Sequence, residues 1–203
     1  MPRVVREVVR SAARLALKRP TGFSQFGEDQ VIARLLPQPA GRYLDVGAYH
    51  PHVYSNTFLL YRRGWSGVAV DPNPDCELLF RIFRPRDTFI RAGTGPAGRR
   101  VYYRYSDGAY NGFAPSPTRE GVVLLDAVET EVRPLSSLVP PGRFDLLNVD
   151  VEGMDLEVLR TFDWSDPPEV VAVEGSESDA FLRELDYALE AECGLTRLWL
   201  RRR

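Results

Sequence analysis

The run Tyr43-Leu44-Asp45-Val46-Gly47-Ala48-Tyr49-His50-Pro51 is a short strand that stops at a glycine. Three later segments repeat its form. Gly67-Val68-Ala69-Val70 ends in Asp71, the run 144–149 ends in Asp150, and Val170-Val171-Ala172-Val173 ends in Glu174. Helical patterns separate them, at 56–63, 74–83, 155–162 and 178–185, with Asn73 and Pro74 opening the second and Gly64 closing the first. Strands with continuous apolar runs that alternate with helices predict an open, mostly parallel α/β sheet covered on both faces. The segments 187–191 and 196–200 predict a closing antiparallel pair around Gly194.

Outward from this alternation the sequence is less regular. Residues 3–18 predict an amphipathic helix, with Val4, Val5, Val8, Val9, Ala12, Leu15 and Ala16 on one side and Arg3, Arg6, Arg10 and Arg14 on the other. Its apolar stripe is expected to dock on the domain or on a sister subunit, which would make a homodimer. Attachment to a membrane surface is the alternative, weakened by the lack of a Trp or Phe anchor. We take residues 1–22 as this basic helix and 23–203 as the globular domain. A second helix is expected after Ser24 as N-cap, burying Phe26, Val31, Ile32, Leu35 and Leu36 and stopping at Pro37. Residues 93–121 predict an edge hairpin with an alternating run at 100–105, and the aromatic, glycine-rich stretch 103–117 reads either as a lid or as a plain surface loop.

Composition limits the function. The 203 residues carry a net charge of −2, which hides a split. Residues 1–20 hold +5 and the last three +3, so residues 21–200 hold −2 − 5 − 3 = −10. An acidic body argues against a broad nucleic-acid surface. No apolar run reaches the length of a transmembrane span. Arginines interrupt the first twenty residues, unlike a signal peptide, and the two cysteines, Cys76 and Cys193, form neither a metal motif nor a disulfide framework. A cytoplasmic location is the expectation.

The acids at the strand ends carry the chemistry. In such sheets ligands bind beyond the carboxyl ends of the strands, where strand order switches. Gly47 lets backbone approach a ligand, but the turn lacks the further glycines that cradle a dinucleotide pyrophosphate. Asp71, ending the second strand, is placed to accept hydrogen bonds from both hydroxyls of a ribose, or alternatively only to cap its own turn. A nucleoside without phosphates, with a cationic end among acids, points to S-adenosylmethionine ahead of NAD.

The blocks Ser24-Gln25-Phe26-Gly27-Glu28-Asp29, 45–51, Tyr54-Ser55-Asn56-Thr57, 64–74 and 148–159 together resemble the FkbM family of S-adenosylmethionine-dependent methyltransferases, in order and spacing. The resemblance implies a Rossmann-like class I methyltransferase fold, a seven-stranded sheet with one antiparallel closing strand, and methyl transfer to a hydroxyl of a sugar, polyketide or other secondary metabolite. It implies that Asp45, Gly47, Ala48, Tyr49 and Asp150 line the cofactor, with Asp71 on the ribose. Gln25 and Ser55 or Asn56 would hold the amino-acid end, and Thr94 would lie near the adenine. Asp150, Glu152 and His50 are the candidates for the base that takes the acceptor's proton. Asp150 and Glu174 are the ligands a Mg2+ ion would use. The competing expectation is a cofactor-binding pseudoenzyme or partner subunit that keeps the fold without catalysis.

Overall fold

A computed structural model describes residues 3–17, 22–115, 120–151 and 153–202. Seven helices and ten strands follow one another: α1 (Arg3–Leu17), α2 (Glu28–Leu35), β1 (Arg42–Val46), α3 (Phe58–Arg62), β2 (Ser66–Val70), α4 (Pro74–Phe83), β3 (Thr88–Ile90), β4 (Gly93–Thr94), β5 (Gly98–Tyr105), β6 (Leu124–Arg133), α5 (Leu135–Leu138), β7 (Leu146–Val149), α6 (Asp155–Leu159), β8 (Val170–Glu174), α7 (Asp179–Glu184), β9 (Tyr187–Cys193) and β10 (Thr196–Arg201). The main sheet has seven strands in the order β3-β2-β1-β7-β8-β10-β9. All its pairs are parallel except those made by β10, which runs antiparallel to both β8 and β9. This is the expected α/β class, with a single reversed closing strand.

Strand alternation sorts the core into two layers. Leu44, Val46, Val68, Val70, Leu147, Val149, Val171 and Val173 face one side, against Val158, Leu159, Leu182 and Trp199. Tyr43, Leu146, Val170, Ala172 and Leu198 face the other, against Ile32, Leu36, Phe58, Leu60 and Trp65. Asp45 and Asn148 continue this second face and sit side by side, because β1 and β7 pair with Asp45 opposite Asn148.

One local expectation is corrected, one strand is added, and one helix packs on the domain only in part. The helix α2 begins at Glu28, not after Ser24. Gly27, at φ 90°, occupies the cap position without a side-chain cap, while Ser24 Oγ accepts the Gly27 and Asp29 N–H groups. That turn leaves Phe26 exposed. Residues 124–133, unassigned in the sequence reading, form the ten-residue β6, which pairs with β5 and β4 in a separate three-stranded sheet. The apolar stripe of α1 does not dock as a whole. Ser11 is fully buried and Leu15 packs on the core, but Val9 is 57% exposed, so the helix rests on a line between its apolar and arginine faces.

Candidate active site

The strand order reverses between β1 and β7, and a crevice opens there at the carboxyl ends of β1, β2 and β7. Three loops meet tightly at this point. The Gly47 N–H donates to Val70 O (2.9 Å) and the Asp150 N–H to Val46 O (3.0 Å). Gly47 has φ +78°, and a Cβ there would fall 1.7 Å from the carbonyl oxygen of Asp150. Only glycine satisfies both the left-handed backbone and this close approach.

Beneath the crevice runs a buried polar network. Asn56 Nδ2 donates to Asn148 Oδ1 (2.9 Å), and Asn148 Nδ2 donates to Asp45 Oδ1 (2.9 Å). The Thr57 hydroxyl donates to Asp45 Oδ2. Arg84, wholly buried, donates to Thr57 Oγ1 (2.9 Å) and stands 3.7 Å from Asp45, while its Nε donates to Asp87 (2.6 Å). Burial pushes the Asp45 carboxyl above the ordinary range, against the pull of Arg84. Every member is bonded to a neighbour, and among the network's buried polar atoms Arg84 Nη2 alone lacks a hydrogen-bond partner among the described residues; buried networks linked in this way rigidify a site.

Asp71 ends β2 at the crevice wall. Its Oδ2 accepts the Tyr49 N–H (2.9 Å) and its Oδ1 the Asn73 N–H (2.7 Å). Both the turn-capping geometry and an acid facing the crevice are therefore realised, and each oxygen keeps a second lone pair for a ligand hydroxyl. Burial pushes this carboxyl up to about 6.

Tyr49 and Tyr54 adopt positive φ (43° and 54°), rare for bulky residues, and their rings stack with centroids 6.4 Å apart. The far wall comes from Tyr102 and the stretch 108–113 within the aromatic loop. The crevice encloses about 140 Å³, below the roughly 300 Å³ at which small-molecule sites begin. It shares Tyr49, Tyr54, Asn73 and Gly108 with a larger cavity of about 590 Å³ under α1.

The structure brings together nine of the ten residues read as cofactor contacts: Gln25, Asp45, Gly47, Ala48, Tyr49, Ser55, Asn56, Asp71 and Asp150. Thr94 is buried with its hydroxyl unpaired, but it does not line the crevice. Glu152 lies outside the described residues. The reading of His50 as a base is corrected. Its Nδ1 accepts the N–H groups of His52 (3.2 Å) and Val53 (3.1 Å), which places its proton on Nε2, 2.9 Å from the Ser11 hydroxyl. Neither nitrogen keeps a lone pair for an acceptor's proton, and burial drives its pKa down to about 3. The metal reading also loses its geometry. Asp150 lines the crevice while Glu174 lines a separate cavity with Asp155, and no cluster of three candidate ligands exists among the described residues. Sequence reasoning missed Asn148, Thr57 and Arg84. Asn148 was open to detection as the only polar residue inside an apolar strand. Arg84 follows α4 without any distinguishing pattern.

Residues 45–198 match the family model described as the methyltransferase FkbM domain. No curated protein matches the sequence. Among solved structures, the chain is similar to the methyltransferase FkbM from Methylobacillus flagellatus KT, at 15% identity and a TM-score of 0.50, over 80% of this chain and 44% of that one. The chain thus spans less than half of that protein. It is also similar to a TehB-like SAM-dependent methyltransferase from Corynebacterium glutamicum (12% identity, TM-score 0.49, 98% of each chain). A third is an O-methyltransferase from Bacillus cereus in complex with SAH (10% identity, TM-score 0.45, 98% of this chain and 90% of that one). At these identities the likeness is one of fold. Among the described residues, no helix is long and apolar enough to cross a membrane.

Proposed function

The chain belongs to the methyltransferase FkbM domain family, and from that premise we propose that it is an S-adenosylmethionine-dependent O-methyltransferase acting on a hydroxyl of a small molecule. The observation that carries this reading is the convergence of nine expected cofactor contacts on one crevice at the switch in strand order.

The donor set suits the cofactor. Asp71 accepts the ribose hydroxyls. Asp45 and Asp150 place negative charge beside the cationic methionine end, and Gln25, Ser55 and Asn56 supply polar atoms for its amino and carboxylate groups. Bound there, S-adenosylmethionine supplies an electrophilic methyl group on a sulfonium. The chain's own work is to orient the acceptor oxygen in line and to remove its proton. Asp150, half-buried at the end of β7, is the base we assign among the described residues.

Calorimetry with S-adenosylmethionine and S-adenosylhomocysteine tests the cofactor. We expect one site per chain, and no binding at millimolar concentration would overturn the reading. Asp150→Asn should still bind S-adenosylhomocysteine, more weakly for the lost charge beside its amino-acid end, yet transfer no methyl even at saturating cofactor to an acceptor that wild type methylates. Retained turnover would remove Asp150 from the mechanism.

A further inference from the structure

The cavity beside the crevice has a chemistry that the proposed reaction leaves unused. It encloses about 590 Å³ and is roofed by α1, which turns Arg3, Arg6, Arg10 and Arg14 toward it. These guanidiniums are weakly committed. Arg6 makes no ion pair among the described residues. Arg10 and Arg14 share the single carboxylate of Glu7 at 3.8 and 3.9 Å, beyond hydrogen-bond reach. Both stand at the cavity mouth, 71% and 55% exposed. Arg3 differs, since it donates to the backbone carbonyls of Tyr105 and Ser106 and so ties α1 to the tip of the β5 strand.

The other acids lining the cavity, Asp75 and Asp107, have partners that do not include Arg6, Arg10 or Arg14. Asp75 lies between Arg3 (3.9 Å) and Arg104 (3.7 Å), and Asp107 accepts the Ala109 N–H (3.1 Å). The body of the chain carries −10, so a row of open guanidiniums is out of keeping with most of its surface. Arginine forks match phosphate and carboxylate oxygens in pairs.

We propose that the methyl acceptor is an anionic small molecule, carrying a phosphate or carboxylate group that Arg6, Arg10 and Arg14 bind in the cavity under α1 while its hydroxyl reaches the adjoining crevice. The proposal rests on the O-methyltransferase reading above. Continuity supports it, because Tyr49, Tyr54, Asn73 and Gly108 form walls of both spaces. An acceptor seated beneath the helix has a direct path to the strand ends, and its charge replaces the long ion pairs to Glu7 with short bidentate ones.

The test uses the full chain and inorganic pyrophosphate as the anion, titrated calorimetrically with S-adenosylhomocysteine present and again without it. We expect one pyrophosphate per chain, weakened about tenfold or more in the Arg6→Gln, Arg10→Gln double variant. Glutamine keeps the helix, because its helix propensity is close to that of arginine, and S-adenosylhomocysteine affinity should stay within about twofold of wild type. Absence of pyrophosphate binding, or equal binding by the double variant, overturns the proposal. Vesicles of phosphatidylglycerol that capture the wild-type chain but not the double variant, with no binding of free pyrophosphate, would make the arginine row a membrane-contact surface and also overturn it. Failure of S-adenosylhomocysteine to bind sinks the methyltransferase reading by itself, and the titration without it still decides the anion site.

Discussion

Two adjoining spaces in this molecule are built on opposite principles. The crevice at the ends of β1, β2 and β7 rests on side chains that are buried and linked by hydrogen bonds, from Asn56 through Asn148, Asp45 and Thr57 to Arg84 and Asp87. The cavity under α1 is walled on one side by a helix with a single buried serine, a few half-buried apolar residues and arginines held at 3.8 to 3.9 Å. The first arrangement fixes geometry, which suits a ligand that never varies. The second tolerates displacement, which suits a partner whose shape differs from one enzyme to the next. Division of labour of this kind lets one fold serve many acceptors.

The sharpest way to break the contrast is to unmake the network. Arg84→Met leaves Asp45 and Asp87 buried beside an uncharged side chain. Removing one partner of a buried ion pair costs about 3–5 kcal/mol, and chemical denaturation should show a loss of that size. A loss below about 1 kcal/mol would mean that the network is solvated and not rigid. Gly47→Ala should cost about 3 kcal/mol, because the added methyl strains the left-handed backbone and drives the Asp150 carbonyl away. It should also abolish cofactor binding, and near-wild-type affinity would show that the β1 and β7 loops do not define the site.

The crevice also predicts a pH dependence. Burial pushes the Asp71 carboxyl to about 6 from an ordinary 3.8. A carboxyl raised on folding binds its proton more tightly in the folded state. Between those two values the acid therefore favours folding as pH falls, and its contribution of about 3 kcal/mol is lost as pH rises. Ribose hydroxyls are donors and need the ionised form. Affinity for S-adenosylhomocysteine should then drop about tenfold between pH 7.5 and pH 5. Asp71→Asn should bind weakly at both values, with the step gone. A flat profile in wild type would remove Asp71 as the ribose acceptor. Asp155 is also raised to about 6, but it lines a different cavity, so binding reports on Asp71 where stability alone would not.

The same contrast explains what the sequence made legible. Strand ends are marked by a change from apolar runs to an acid, so Asp71 and Asp150 stand out from local pattern, whereas Asp45 lies inside β1 and is singled out by the family resemblance; the topology brings the three together. Side chains that act through the fold carry no such mark. Arg84 reaches Asp45 across many intervening residues, and only the packing of α4 against the sheet places it there. The strand β6 was missed for another reason. Most of its side chains are exposed, so burial imposed little apolar pattern, and the run Asp126 to Val132 shows no regular alternation. The helix α1 was legible as a helix but not in its orientation, because one serine, Ser11, decides which line along it is buried.

That serine gives the smallest predicted effect and the one that tests whether the two spaces are separable. Ser11 is the buried partner of His50 Nε2, and His50 is held on its other nitrogen by the backbone of His52 and Val53. Ser11→Ala leaves the Nε2 proton without an acceptor at a cost of about 1 kcal/mol. The helix has a cheaper remedy than unfolding the domain, since it can lift away and let water reach the imidazole. Hydrogen exchange across residues 3–17 should therefore speed up while the strands β1, β7 and β8 keep their protection. Affinity for S-adenosylhomocysteine should change by less than about twofold, because no member of the Asp45 network touches Ser11. If cofactor affinity falls in step with protection of α1, the helix is part of the cofactor site, and the distinction between a rigid crevice and an adaptable cavity fails.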